Sequence, residues 1–138
     1  MKGYAVIALL CLVVAGCGGG GGGGGGGGSG SGSGLYTRAT TERCVKKIPG
    51  VKVDAKLDFV ASTATGGAFH VASTLNAATV VFGKTIIDAN NINAAYHRFR
   101  AKNVGIDDVI AQKRNVVMLF RVHPSDPLIS GIEGCLSP

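Results

Sequence analysis

Hydrophobic residues are distributed very unevenly along this chain of 138 residues. They form one unbroken run at Ala5–Ala15 and then return, at regular spacings, between Leu35 and Pro138. Between these parts, Gly18–Gly34 contains only glycine and serine. The pattern therefore predicts a hydrophobic leader at 1–16, a connecting segment at 17–34, and one domain at 35–138 that is long enough to bury a modest core.

Apolar residues three and four positions apart predict three helices in the domain. The first is TTERCVKKI, residues 40–48, which ends at Pro49-Gly50. The clearest begins after Thr85, which can cap it, and continues to Lys102. The third closes the chain, with Asp126 as its candidate cap.

Runs of β-branched and aromatic residues predict three strands. Ala68–Ser73 and Ala78–Gly83 are separated by four residues, the length of a hairpin loop. Residues 115–122, NVVMLFRV, are so hydrophobic that both faces of this strand should be covered.

Two segments of the domain leave alternatives open. Residues 51–67 alternate like a strand, yet Asp58 could cap a helical turn reaching Thr63, and we favour this short helix. Residues 105–113 fit a loop or one helical turn. The resulting order is helix, strand, strand, helix, strand, helix, which predicts a compact two-layer α+β domain with helices packed on one face of a small, largely antiparallel sheet.

The leader has the features of an export signal. Lys2 supplies a positive charge, and the eleven apolar residues that follow from Ala5 to Ala15 are too few for a membrane-spanning helix, which needs about 20. The run ends in Val14-Ala15-Gly16-Cys17, which resembles the lipobox of bacterial lipoproteins. The resemblance implies that the Cys17 thiol receives a diacylglycerol, that the chain is cut before Cys17, and that the protein is anchored at the extracytoplasmic face of the cell membrane. The alternative is an ordinary signal or short anchor with an incidental cysteine.

The glycine-rich segment fits this arrangement. Glycine and serine cannot bury enough apolar area to offset the entropy lost on ordering, so Gly18–Gly34 is predicted to be a flexible tether. Its root-mean-square length would be roughly 20–25 Å. It is not a phosphate-binding loop, because that motif needs a strand before it and a helix after it.

The four cysteines divide into two pairs once the lipobox is accepted. Cys11 would leave with the leader, and Cys17 would carry lipid. Cys44 and Cys135 remain, in a protein exported to a compartment that permits oxidation. Both lie on the apolar face of a predicted helix, so we predict a disulfide between them; the alternative is two separate buried thiols.

Net charge changes the picture only slightly. Without Lys2, the domain carries about +5, which suits either attraction to anionic envelope polymers and lipid headgroups or simple solubility. The chain has no block of five like charges and no alternation of basic and aromatic residues, which argues against nucleic-acid binding. The densest basic region is a candidate anion-binding patch, although complementing a helix dipole would also explain it. Its members are His97, Arg98, Arg100, Lys102, Lys113 and Arg114.

Residues that could support catalysis lack the spacing that catalysis requires. The three histidines, His70, His97 and His123, form no metal-binding motif, so no metal and no cofactor are predicted. Serine and aspartate residues are present, but no G-x-S-x-G motif accompanies them, and no catalytic residue is assigned. The adjacent carboxylates Asp107-Asp108 are better explained as helix caps or solvated charges.

We therefore expect a non-catalytic, lipid-anchored domain that acts by binding. Its partners would be the bilayer, through acylated Cys17, and an anionic envelope polymer or another envelope protein. The domain resembles small uncharacterised lipoproteins of high-GC Gram-positive bacteria, a resemblance that implies no activity. A small enzyme, or enzyme accessory, acting on cell-envelope substrates is the alternative function, and a structural spacer is the third.

Overall fold

An antiparallel sheet of five strands lies at the centre of the domain. The computed structural model describes residues 34–99, 105–124 and 126–138. The strands are β1 (Lys52–Asp54), β2 (Ala68–Ala72), β3 (Ala77–Phe82), β4 (Ile110–Lys113) and β5 (Val116–Phe120). They are arranged in the order β1-β2-β3-β5-β4, and every neighbouring pair is antiparallel.

Four α-helices accompany the sheet within these residues. They are α1 (Arg38–Val45), α2 (Phe59–Ser62), α3 (Ile86–Phe99) and α4 (Asp126–Gly134), with a further 3-10 turn at Ile106–Asp108. The small α+β domain with an antiparallel sheet that the sequence predicts is confirmed. None of the helices in the described ranges combines the length and hydrophobicity needed to cross a membrane.

The two segments that the sequence left open are resolved by hydrogen bonding. Residues 51–67 contain both alternatives, since β1 pairs with β2 and Asp58 caps α2 by accepting a hydrogen bond from Ala61 N at 2.9 Å. The prediction for residues 105–113 was wrong at its C-terminal half, where β4 pairs with β5. The turn between these strands places Arg114 at φ 53°, a conformation in which glycine is the expected residue.

The pairing register gives the sheet two different faces. One of them, which we call the α3 face, carries the polar residues His70 and Thr79 from the central strands together with apolar residues such as Leu119. Gln112 of β4 lies on the same face and hydrogen-bonds to two residues of α3, Asn90 at 2.7 Å and Asn93 at 2.9 Å. Helix α3 therefore packs on this face of the sheet. Helix α2 lies beside it, in contact with α3 and with strands β2 and β3.

The opposite face of the sheet carries the bulky apolar residues, and we call it the disulfide face. Its members are almost completely buried: Phe69, Val71, Val80, Phe82, Met118 and Phe120. Helices α1 and α4 contact each other, and they contribute the fully buried Val45 and Ile132 to the core. Lys113, which projects from the disulfide face of β4, lies 3.8 Å from Glu133 of α4. The structure thus divides the helices between the two faces of the sheet, so the expectation that all of them pack on one face is corrected.

The predicted disulfide between Cys44 and Cys135 is present in the structure. It joins the last turn of α1 to the residue after α4, with the two Cα atoms 5.5 Å apart. The bond closes a sequence separation of 91 residues, so it connects the two ends of the domain across nearly all of its length.

The sheet also has two distinct ends. At the hairpin end, β2 turns into β3 through residues 73–76, and β5 leaves the sheet at Phe120. At the N-terminal end, the chain enters beside the β4–β5 turn, where the side chain of Asn115 accepts a hydrogen bond from Tyr36 N at 2.8 Å. Asn115 also donates to Tyr36 O and to Gly83 O, each at 2.9 Å. The entering chain is therefore fixed at the end of the sheet farthest from the β2–β3 hairpin.

Candidate functional site

Two adjoining cavities open on the α3 face of the sheet, toward the hairpin end. The larger, of about 420 Å³, is lined by Asp58, Phe59, Val60, Tyr96, Phe99 and Leu119. The smaller, of about 180 Å³, is lined by Asp58, His70, Ala77, Ala78, Thr79, Leu119, Phe120 and Arg121. Asp58 and Leu119 line both cavities, which therefore form one continuous site, here called the Asp58 cleft. A mostly apolar cavity with a few polar groups is the usual form of a small-molecule site.

Two phenylalanines stand at the rim of the larger cavity. Phe59 begins α2 and Phe99 ends α3, and their rings meet edge to face with centroids 6.4 Å apart. They are nevertheless 73% and 65% exposed. Paired aromatic rings left open to water beside a cavity are typical of a surface that binds something, since a monomeric protein otherwise gains by burying them.

Asp58 is held in place from two directions. As the cap of α2 it accepts a hydrogen bond from Ala61 N, and the hydroxyl of Tyr96 donates to its two carboxylate oxygens at 3.1 and 3.0 Å. Tyr96 projects from α3 and is only 3% exposed, so its position is fixed by packing. The carboxylate therefore occupies one defined place at the junction of the two cavities, which is the kind of preorganisation that a binding site needs.

A second carboxylate orients the histidine of the cleft. Asp54 of β1 lies opposite His70 of β2, and its Oδ1 is 3.1 Å from His70 Nδ1. The backbone N–H of Lys56 donates to Asp54 at 2.8 Å and, together with His70, holds the pKa of Asp54 below its usual value. Asp54 therefore stays ionised at neutral pH and remains a hydrogen-bond acceptor for the imidazole. Across the strand pair, His70 faces Thr79, another residue that lines the cleft.

Arg121 brings a positive charge to the smaller cavity. It follows β5 directly, and its backbone N–H donates to Ala77 O at 2.8 Å, which fixes the point from which the side chain extends. Its side chain is exposed and lines the same cavity as Asp58 and His70. The cleft thus combines an acid, a guanidinium and an imidazole with an apolar chamber.

The candidate basic patch is only partly covered by the structure, because Arg100 and Lys102 lie outside the described residues. His97 and Arg98 are in the last turn of α3, where His97 lies 3.9 Å from Asp107. Lys113 is at the other end of β4 from Asp107 and lies near Glu133. Arg114 hydrogen-bonds to Gly34 O and lies 5.8 Å from the ring centre of Tyr36. The described members therefore form two separate groups with different neighbours.

The three histidines also have separate surroundings. His70 lies beside Asp54, His97 beside Asp107, and His123 beside the carbonyl of Pro124. Within the ranges that the structure covers, no three histidine, cysteine or acidic side chains are grouped so that they could hold a metal ion.

Cys17, the predicted lipidation site, and the leader and connecting segment at 1–33 lie outside the described residues. Their assignment stays a prediction from the sequence. The bridge between Cys44 and Cys135 belongs to the helices that accompany the disulfide face rather than to the face that bears the cleft.

Sequence reasoning identified Asp58 as a cap and missed the cleft around it. Phe99 lies three residues after the buried Tyr96 on the same helix, yet its ring is 65% exposed. Phe59 and Arg121 showed no local pattern, because only the fold brings residues 58, 96 and 121 together. No protein-family model, no curated protein and no solved structure matches the chain.

Proposed function

We propose that this protein is a lipoprotein anchored to the extracytoplasmic face of the cell membrane, and that its domain binds a small ligand in the Asp58 cleft without transforming it. The anchor rests on the export signal and on Val14-Ala15-Gly16-Cys17. The binding role rests on one observation above all, the exposed pair Phe59 and Phe99 at the rim of a preorganised cavity.

The order of the chain supports the combination of these two roles. The connecting segment leads to Tyr36, which is fixed at the N-terminal end of the sheet, whereas the cleft opens toward the hairpin end. The point at which the connecting segment joins the domain is therefore at the other end of the sheet from the cleft.

One observation favours the alternative of a small enzyme acting on envelope substrates. Asp54 orients the imidazole of His70, and a carboxylate–imidazole pair beside a cavity is a common general base. We rank this second, because the aromatic rim and apolar chamber contribute to ligand affinity and supply no reacting group.

The anchor is tested by replacing Cys17 with alanine and fractionating cells that express the full chain. We expect the wild-type protein in the membrane fraction, carrying radiolabel from supplied palmitate, and the variant in the soluble fraction without label. The reason is that two acyl chains bind a bilayer stably, whereas the domain alone has no comparable attachment. Cys11→Ala is the matched control, since that cysteine would leave with the leader. Membrane retention of Cys17→Ala with unchanged mobility would contradict the proposal.

The binding role is tested by nuclear magnetic resonance with a library of small organic fragments. We expect the backbone shifts caused by binding fragments to concentrate at residues 58–60, 96–99 and 119–121, and Phe59→Ala to reduce them. Ile87→Ala is the control, because Ile87 is similarly exposed, at 71%, but lies outside the cleft. Shifts scattered evenly over the surface, or equal losses in both variants, would argue against a binding site at this cleft.

A further inference from the structure

We propose that the ligand of the Asp58 cleft is a free α-amino acid with an apolar side chain, an inference that rests on the proposed binding role. Such a molecule carries three different groups on one carbon atom: an ammonium, a carboxylate and a hydrocarbon chain. The cleft offers a separate complement to each of them, distributed over two cavities that share Asp58 and Leu119.

The ammonium group is matched by Asp58. Among the residues that the structure covers, Asp58 is engaged by neutral donors, the Tyr96 hydroxyl and Ala61 N, and takes part in none of the ion pairs. A carboxylate has room for about four hydrogen bonds, so acceptor capacity remains on its exposed side. Since Asp58 lines both cavities, an ammonium bound to it places the α-carbon at their junction.

The carboxylate group is matched by Arg121. Arg121 lines the smaller cavity with Asp58, its side chain is exposed, and it is likewise absent from the ion pairs of the described residues. Arginine binds carboxylates through two parallel hydrogen bonds, a geometry that also fixes the orientation of the bound group. Opposite charges on the walls of a cavity of about 180 Å³ suit a zwitterion better than a simple amine or a simple acid, either of which would leave one wall unpaired.

The side chain is matched by the larger cavity. Phe59, Phe99 and Leu119 give it apolar walls, and its volume of about 420 Å³ leaves room for an aromatic or branched aliphatic group. Burial of such a group stabilises the complex by the hydrophobic effect and by ring packing against the two phenylalanines. An uncharged sugar would use the rings but would not require the opposed charges of Asp58 and Arg121.

The test is calorimetric titration of the full chain, in detergent, with L-phenylalanine as the probe. We expect saturable binding with a Kd on the order of 0.1–1 mM. Asp58→Asn and Arg121→Gln should each weaken it at least about tenfold, because each removes a charged hydrogen-bonding partner. Asparagine is as good a helix cap as aspartate, so Asp58→Asn should keep α2 intact.

Two controls separate the site from a general loss of charge. Asp107→Asn and Arg43→Gln change exposed residues outside the cleft and should leave the Kd within about twofold. A ligand lacking one group gives a sharper comparison. 3-Phenylpropionate has no ammonium group, so it should bind the wild type more weakly than L-phenylalanine does. Asp58→Asn should not weaken the binding of 3-phenylpropionate any further.

The outcomes that overturn the proposal are specific. The proposal fails if L-phenylalanine does not saturate the protein at 10 mM, or if phenylalanine and 3-phenylpropionate bind with equal affinity. It also fails if the control variants weaken phenylalanine binding as much as the cleft variants do, or if glucose binds saturably with an affinity that Arg121→Gln leaves unchanged. If fragments still map to the cleft while phenylalanine does not bind, this inference fails and the binding role stands. If neither maps there, both fail.

Discussion

Replacing Cys44 and Cys135 with alanine together is expected to lower the free energy of unfolding by about 4 kcal/mol, more than the loss of any one noncovalent contact in the domain should cost. The disulfide spans 91 residues, so its removal returns a large amount of conformational freedom to the unfolded chain. For a domain of about 100 residues, a loss of this size lowers Tm by roughly 15–30 °C. Thermal unfolding followed by circular dichroism measures it directly.

The experiment contains its own check. Wild-type protein treated with a reductant should unfold at the same temperature as the double alanine variant, whereas the variant should not respond to the reductant. Ser137→Ala is a matched control at an exposed position beside Cys135, and it should change Tm by no more than about 2 °C. If the double variant melts within a few degrees of the oxidised wild type, the disulfide contributes little to stability.

Asn115→Ala is expected to lower the free energy of unfolding by about 3 kcal/mol, a large effect for a single polar side chain. Asn115 is only 2% exposed, and its amide satisfies three backbone groups: Tyr36 N, Tyr36 O and Gly83 O. Truncation would leave these groups buried without their partner, each at a cost of about 1–3 kcal/mol that entering water partly offsets. Urea unfolding gives the loss as a lower midpoint at unchanged slope.

Asn91→Ala provides the comparison for Asn115→Ala. Asn91 is an exposed residue within α3, where alanine has the higher helix propensity, so this variant should be as stable as the wild type or slightly more stable. Similar losses in the two variants would show that Asn115 is not the connection that its contacts indicate. The same experiment tests whether the entering chain depends on one side chain for its attachment.

The sequence predicted those parts of the fold that strong local patterns specify. Residues 115–122 were predicted as a strand covered on both faces because they are so hydrophobic, and the strand β5 forms there at Val116–Phe120 with every residue buried. The capping of α3 by Thr85 could also be predicted from neighbouring residues. The Thr85 hydroxyl accepts a hydrogen bond from Asp88 N at 3.0 Å, and the Asp88 side chain accepts one from Thr85 N at 3.1 Å. Such signals lie within a few residues of one another.

Features set by distant residues were harder to predict. Strand β4 has one exposed residue, three partly buried residues and no buried one. It therefore lacks the alternation of buried and exposed positions by which a strand is recognised in a sequence. Its turn uses Arg114 where glycine is expected, and the side chain compensates by bonding to Gly34 O and lying over Tyr36. These partners are about eighty residues away. The pairing of β4 with β5 is local, but the turn that joins them is supported by contacts far away in the sequence.

The candidate site shows the same limit. Asp58 was interpreted through its own helix as a cap, which is correct, but that interpretation gave no sign of its second partner, Tyr96 of α3. Their hydrogen bond connects residues 38 positions apart, and Arg121 joins them only because β5 ends beside β3. The disulfide was the exception, because so few cysteines remained to be paired.

The position of the disulfide has a mechanical consequence. A pulling force that enters through the N-terminus meets the hydrogen bond from Arg114 to Gly34 O, then those between Tyr36 and Asn115, and then the first turns of α1. It can detach the chain only as far as Arg43, because Cys44 is covalently tied to Cys135. When the C-terminal end is held, the tension beyond that point passes through the sulfur bridge, and the loop between the two cysteines, which contains the whole sheet and the Asp58 cleft, carries none of it.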